Sequence, residues 1–213
     1  MFDSLFSLDS PLGRTLSTLT DILILNLLFV LCCLPVITIG ASWTALYSVM
    51  RKLIRDEDGH IVRGFFAAFR RSFKQSTILW LILAVFGGAL IASLMATVRL
   101  EMVALNRVLL VILLLYGVEL SYIFPLVSQF DAPAMSQLRN ALLIGIANLP
   151  WTVLVLLIDL CPVLLMITQT RLLLVVPPVM LLIGFGLVAF CGSFIFNHVF
   201  KRYVLAAQEQ EEA

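Results

Sequence analysis

Charge is scarce in this sequence of 213 residues. Only 13% of its residues are Asp, Glu, Lys or Arg, against about 25% in an ordinary soluble domain. With 14 basic and 13 acidic side chains the net charge is +1, so no electrostatic footprint for nucleic acid is present. Histidine is nearly absent: His60 and His198 are the only two. No H-E-x-x-H, no P-loop and no G-x-S-x-G occurs, which removes the common zinc-protease, nucleotide and hydrolase readings. His198 and Ser193 are the nearest acid–base pairing, and a five-residue helical spacing sets them on different faces. Four cysteines, Cys32, Cys33, Cys161 and Cys191, all lie in apolar runs. Their spacing gives neither a zinc site nor a disulfide framework, so they read as small packing residues. Asp159 near Cys161 lacks the second thiolate that a soft-metal site needs. No cofactor and no metal ligand set is expected. Low-complexity tracts and internal repeats are also missing, including the inverted repeat of many transporters.

What remains is grease. The chain is 62% hydrophobic, with a mean hydropathy of +1.08. A water-soluble core of this size could not hide so much apolar surface, and lipid can accept it. A spanning helix needs about 20 mostly apolar residues. Five segments meet this: residues 19–39, 77–98, 103–127, 149–168 and 172–197. The apolar runs do not alternate with polar positions, which argues against a barrel. The expected fold is an all-α, polytopic transmembrane bundle, one domain over residues 1–213, with lipid as its solvent. The N-terminus has no basic region before a short apolar run and no cleavage site, so the first span reads as an uncleaved anchor.

Seven bases crowd the loop at residues 51–76: Arg51, Lys52, Arg55, Arg63, Arg70, Arg71 and Lys74. Short basic loops stay cytoplasmic. Counting spans from there puts residues 128–140 and the tail with Lys201 and Arg202 inside. Arg14, Arg99, Arg107 and Arg171 fall outside, and the other ten of the fourteen bases fall inside. Pro35 interrupts the first span. It is read as a kink, with residues 41–54 leaving the membrane toward the basic loop and Met1 outside. The alternative is a tight hairpin of residues 12–34 and 36–54, which makes six spans and puts Met1 inside.

Within the basic loop, Ile61, Val62, Phe65, Phe66, Phe69 and Phe73 recur at helical spacing, with Arg63, Arg70, Arg71 and Lys74 mostly between them. This is the pattern of an amphipathic interfacial helix. Its phenylalanines would dip into the acyl boundary and its bases would meet anionic headgroups, each worth about 1 kcal/mol. A docking surface for a cytosolic protein is the other reading. A second cytoplasmic helix is expected from Asp131, whose carboxylate would cap it, with Pro133 in its first turn, running into the fourth span. Trp80 and Trp151 fall near expected interfaces. Residues 208–213 are polar and acidic, and are expected to fray.

Three polar residues inside spans stand out. Glu119 and Asp159 would each cost about 2.5–3.5 kcal/mol to insert as charges. They are either a proton- or cation-coupled pathway or two protonated acids bonded to neighbours such as Asn26, Ser121, Tyr122 or Thr152. The second reading is preferred, because no intramembrane Lys or Arg pairs with them. Asn26 reads as an interhelix hydrogen-bonding group worth about 1 kcal/mol. Gly87-Gly88, Gly184, Gly186 and Gly192-Ser193 read as close helix contacts or a dimer face.

Several stretches resemble the YesL-like family of bacterial membrane proteins. They are SPLGR (residues 10–14), NLLFVLCCLPVITIGASWTALYSV (26–49), RDEDGHIVRGFFAAFRRSFKQST (55–77), YIFPLVSQFDAPAMSQLRNALLIGIANLP (122–150) and SFIFNHVFKRY (193–203). LPVITIGAS and FDAPAMSQLRNAL are the more specific. The resemblance implies a five- or six-helix protein of the bacterial plasma membrane, with no established activity and no catalytic residues. It also implies a gene often placed near carbohydrate uptake systems. Glu119 and Asp159 depart from that pattern. Three functions follow as expectations: an accessory or scaffold protein for carbohydrate uptake, a small permease using the intramembrane carboxylates, and, with least support, an enzyme. The partners in view are the bilayer, a carbohydrate transporter complex and a second copy of the chain.

Overall fold

The computed structural model describes residues 11–55, 57, 60–168 and 170–211. The position of Met1 therefore lies outside the described residues. Every regular element among them is helical. The long helices are α1 (Pro11–Cys33), α2 (Ile39–Ile54), α3 (Ile61–Arg99), α4 (Val103–Gln129), α5 (Ala134–Ala147) and α6 (Leu149–Thr168). A 3-10 turn (Thr170–Leu173) and the short α7 (Val176–Val179) follow. A π-helical turn (Met180–Gly184) then leads into α8 (Phe185–Glu211). Five helices are long and apolar enough to cross a membrane: Thr15–Cys33, α3, α4, α6 and Val176–Val204. Their outward faces are greasy. Val85 is 74% exposed, Leu182 69% and Ile167 75%, which suits lipid and not water. This is the architecture of a multi-pass membrane protein.

The first correction concerns Pro35. The residue before a proline is pushed out of the helical region, so α1 stops at Cys33 and Pro35 is extended (φ −76°, ψ 109°). The chain then turns rather than kinks. The rings of Phe29 and Trp43 meet at 4.8 Å, whereas one continuous helix would hold those residues about 21 Å apart. The turn accounts for its own polar groups. The Thr38 hydroxyl reaches the carbonyls of Cys32 and Pro35 (2.5 and 2.6 Å), and the Trp80 indole N–H donates to the Val36 carbonyl at 2.9 Å. Trp80 is thus a clasp on the turn.

The second correction concerns α2. Residues 41–54 do not leave the bundle; the stretch 41–50 forms its centre. Ala41, Ser42, Thr44, Ala45, Leu46, Tyr47, Ser48, Val49 and Met50 are all buried, so α2 is covered on every face by α1, α3, α4 and α8. Small residues let the neighbours come close. At Gly40 a Cβ would lie 2.7 Å from the Trp80 Cβ and closer still to the Ser76 carbonyl. One turn on, the Thr44 and Ser76 hydroxyls bond at 2.9 Å. With 16 residues, α2 is about 24 Å long, shorter than the hydrocarbon core of about 30 Å.

The third correction concerns α3. The amphipathic helix and the second span are one uninterrupted element of 39 residues, about 58 Å long. Phe65 is fully buried against the protein core and Phe69 packs on it, while Val62, Phe66 and Phe73 stay exposed. The apolar face is divided: Phe65, with Ile61 and Phe69, turns to the protein because α2 lies alongside, and the other three residues face outward. Two smaller corrections follow. The helix after the third span begins at Ala134 with Pro133 at its cap position and no side-chain cap bond, so Asp131 does not cap it. The last helix continues to Glu211 instead of fraying at 208.

Gly40→Ala should destabilise the bundle by about 1–3 kcal/mol, the usual range for overpacking. Gly88 meets nothing within 4 Å of an added Cβ, so Gly88→Ala should be neutral. Thermal unfolding of the two variants in mild detergent checks this; equal midpoints would contradict the close α2–α3 approach.

Candidate functional site

Asn26 is fully buried and lies where α1 meets the start of α8. Its Nδ2 donates to the Leu181 carbonyl at 2.7 Å and its Oδ1 accepts from the Gly186 N–H at 2.8 Å. Leu181 and Gly186 are five residues apart, the spacing of a π turn. The Asn26 amide therefore stands in the gap of the helical ladder and satisfies both ends of it. Gly186 makes this possible, since a Cβ there would come within 3.0 Å of the Ile22 carbonyl.

Next to this junction lies a chamber of about 960 Å³ between α1, α2, α4, α6 and α8, open to the outside of the bundle, where its lining residues Leu34, Leu160, Val163 and Leu181 are exposed. Its walls are apolar and aromatic, with Phe29 and Val30 from α1, Leu34 from the turn, Trp43 from α2, Phe124 from α4, Met166 from α6 and Phe185 from α8. The polar inventory is short. Ser121 on α4 donates to Asp159 Oδ2 on α6 at 2.6 Å, and both line the chamber. Beside Gly117, one turn before Ser121, the Leu156 side chain lies 3.7 Å from where a Cβ would sit, ordinary packing contact between α4 and α6 at this level. The other candidate partners of the acids are committed elsewhere. Tyr122 and Thr152 bond to each other at 2.8 Å.

Glu119 does not join Asp159. It precedes Ser121 by two positions, about 200° around α4, and is absent from the chamber lining. It neighbours Tyr116, whose hydroxyl donates to the Leu83 carbonyl at 3.0 Å in the space left by Gly87. The three polar candidates thus occupy three places: Asn26 in a backbone gap, Asp159 in the chamber and Glu119 on the far side of α4. Asp21, a further acid inside α1, went unremarked in the sequence because it lies two residues from the expected start of the first span.

The polar end of the bundle is the second site. Arg51, half-buried at the end of α2, donates to Gln129 Oε1 and to the Ser128 carbonyl, both at 3.0 Å. Burial, with Arg55 nearby, lowers its pKa to about 10, so it stays cationic at neutral pH. Arg55 reaches Asn197 on α8 at 3.5 Å and pairs with Glu57 at 3.8 Å. Gln75 donates to the Ala132 carbonyl at 2.6 Å. The 51–75, 128–132 and 197 segments are therefore drawn to one end. Arg63, Phe66, Arg70, Arg71 and Lys74 are all exposed on the outer face of α3, opposite the buried Phe65, Ser72 and Ser76. That face was legible from spacing; Arg51's role as a cross-link was not, because its partners lie 77 and 78 residues away. Among the described residues no group of three His, Cys, Asp or Glu side chains could hold a metal ion.

A family model described as "Protein of unknown function, DUF624" matches residues 22–94, about a third of the chain. The similarity runs from Ile22 in α1 through the Pro35 turn and α2 into α3. It includes Asn26, Gly40 and the basic face, and stops short of Ser121 and Asp159. Neither the curated proteins nor the solved structures contain a match to this chain.

Replacing Asn26 by Ala strips both ends of the Leu181–Gly186 gap. The expected cost is about 1–2 kcal/mol, with faster proteolysis near residues 176–186. Asn26→Asp keeps only the acceptor and should fall between. An Asn26→Ala protein as stable and as protease-resistant as the parent would contradict this role.

Proposed function

We propose that this protein is a non-catalytic accessory component of the bacterial plasma membrane, with its basic end in the cytosol. One observation carries the reading: the basic 51–75 segment is hydrogen-bonded to Ser128, Ala132 and Asn197 at one end of the bundle, and its α3 face presents Arg63, Arg70, Arg71 and Lys74 without covering structure. Since α3 is about twice as long as the hydrocarbon is thick, only half of it fits in lipid. The half with four exposed cations is the half that stays out. Phe66 and Phe73 flank the cations at interfacial depth, which favours anionic headgroups as the first contact, each base contributing about 1 kcal/mol. The absence of hydrolase, nucleotide and metal motifs in the sequence supports the non-catalytic part.

The YesL-like resemblance adds carbohydrate uptake as the setting. In that setting the chamber supports a companion role over a carrier role. A sugar needs several convergent donors and acceptors, and these walls offer chiefly the Ser121–Asp159 pair. A second reading, a small ion-coupled permease, is favoured by the same pair, because it puts an acid on a chamber wall. Glu119 contributes nothing to it from the far side of α4.

Two measurements check these readings. A cysteine placed by Arg70→Cys, in a chain whose native cysteines are replaced by Ser or Ala, should react with a membrane-impermeant maleimide only after cells are opened. Labelling in intact cells would overturn the orientation. Crosslinking in native membranes should capture the protein with a transporter complex or with itself. If nothing copurifies, and reconstituted vesicles accumulate a solute in a manner lost on Asp159→Asn, the permease reading replaces the accessory one.

A further inference from the structure

The acceptors around Asp159 outnumber the donors. The Ser121 hydroxyl, the nearest donor, is spent on Asp159 Oδ2. The other carboxylate oxygen has no hydrogen bond among the described residues, and no Lys or Arg lines the chamber. Proline adds further acceptors. Pro162 lines the chamber and lies inside α6, so it offers no N–H to the carbonyl of Ile158, the residue beside Asp159. Pro125 inside α4 likewise leaves the Ser121 carbonyl without its ladder donor. In hydrocarbon such groups must find a partner. The locus is thus a carboxyl group on the wall of about 960 Å³ of apolar space, with the proline-interrupted ladders of α4 and α6 close by.

From this arrangement we infer a binding site for an amphiphilic monocation: an apolar body in the chamber and one ammonium group on Asp159. This inference is independent of the accessory reading above. The ammonium supplies the donors and the counter-charge that the protein withholds. Heads carrying phosphate or carboxylate are refused, because no chamber cation receives them. Neutral alcohols bring one donor and no charge, so they fit less well. A bare alkali ion would satisfy the oxygens and leave the apolar volume unused. Trp43 and Phe185 on the walls also suit a cationic guest.

The test uses the full chain in phosphatidylcholine nanodiscs and a diazirine-bearing dodecylamine. Photolabelling should map to peptides of α4 and α6 and should be displaced by dodecylamine. Dodecanol and dodecanoate should compete at least about tenfold more weakly. Asp159→Asn keeps a partner for Ser121 and changes the charge; it should need about tenfold more amine for the same labelling. Val163→Trp fills the chamber one helical turn beyond Asp159, leaves the carboxyl group in place and should abolish labelling at α6. Equal competition by dodecanol overturns the inference, as does unchanged labelling of Asp159→Asn. So does loss of labelling when sodium replaces choline in the buffer, which would assign the oxygens to an alkali ion. Should Asp159→Asn fail to fold, the amine, alcohol and acid series on the parent protein still decides.

Discussion

A peptide group in hydrocarbon has no water to turn to, so each backbone N–H and C=O must be paired inside the protein. An unbroken helix meets this by itself. A broken one does not, and this chain breaks its helices twice in places that matter. At Pro35 the turn is closed by the Thr38 hydroxyl and the Trp80 indole. At the π turn before α8 the gap is closed by Asn26. In each case a side chain from another helix takes part in the repair, Trp80 of α3 at the turn and Asn26 of α1 at the π turn. Repair and assembly are therefore the same event.

That constraint also explains why α2 sits at the centre. Once the chain turns at Pro35, α1 and α2 come together, and α2 must be covered. Its Gly40, Ala41, Ser42 and Ala45 allow α3 and its other neighbours to approach closely, and Thr44 finds Ser76. Covering α2 in turn uses the side of the first half of α3 that carries Phe65, Ser72 and Ser76. The basic face is left outward, which is how one helix serves both packing and surface.

The chamber is the remainder of this arrangement. α1, α4, α6 and α8 meet around the Pro35 turn and the π turn without filling the space between them. Two prolines, in α4 and α6, loosen the ladders beside Ser121 and Asp159. The polar groups that result are acceptors, and their surroundings are apolar. The chemistry of the site follows from where the helices could not close.

The sequence by itself determined the helical class, five greasy spans, a basic stretch with an outward cationic face, and the short list of buried polar groups. These rest on composition and local periodicity, which act over one to a few turns. Tertiary structure alone decided that Pro35 is a turn, that α2 is core, and that Asp159 meets Ser121 while Glu119 faces elsewhere. It also decided that Asn26 completes the backbone of a helix more than 150 residues away. Each of these depends on which helix lies beside which. That is set by close packing between segments remote in the chain, and an apolar run is equally apolar whichever neighbour it finds.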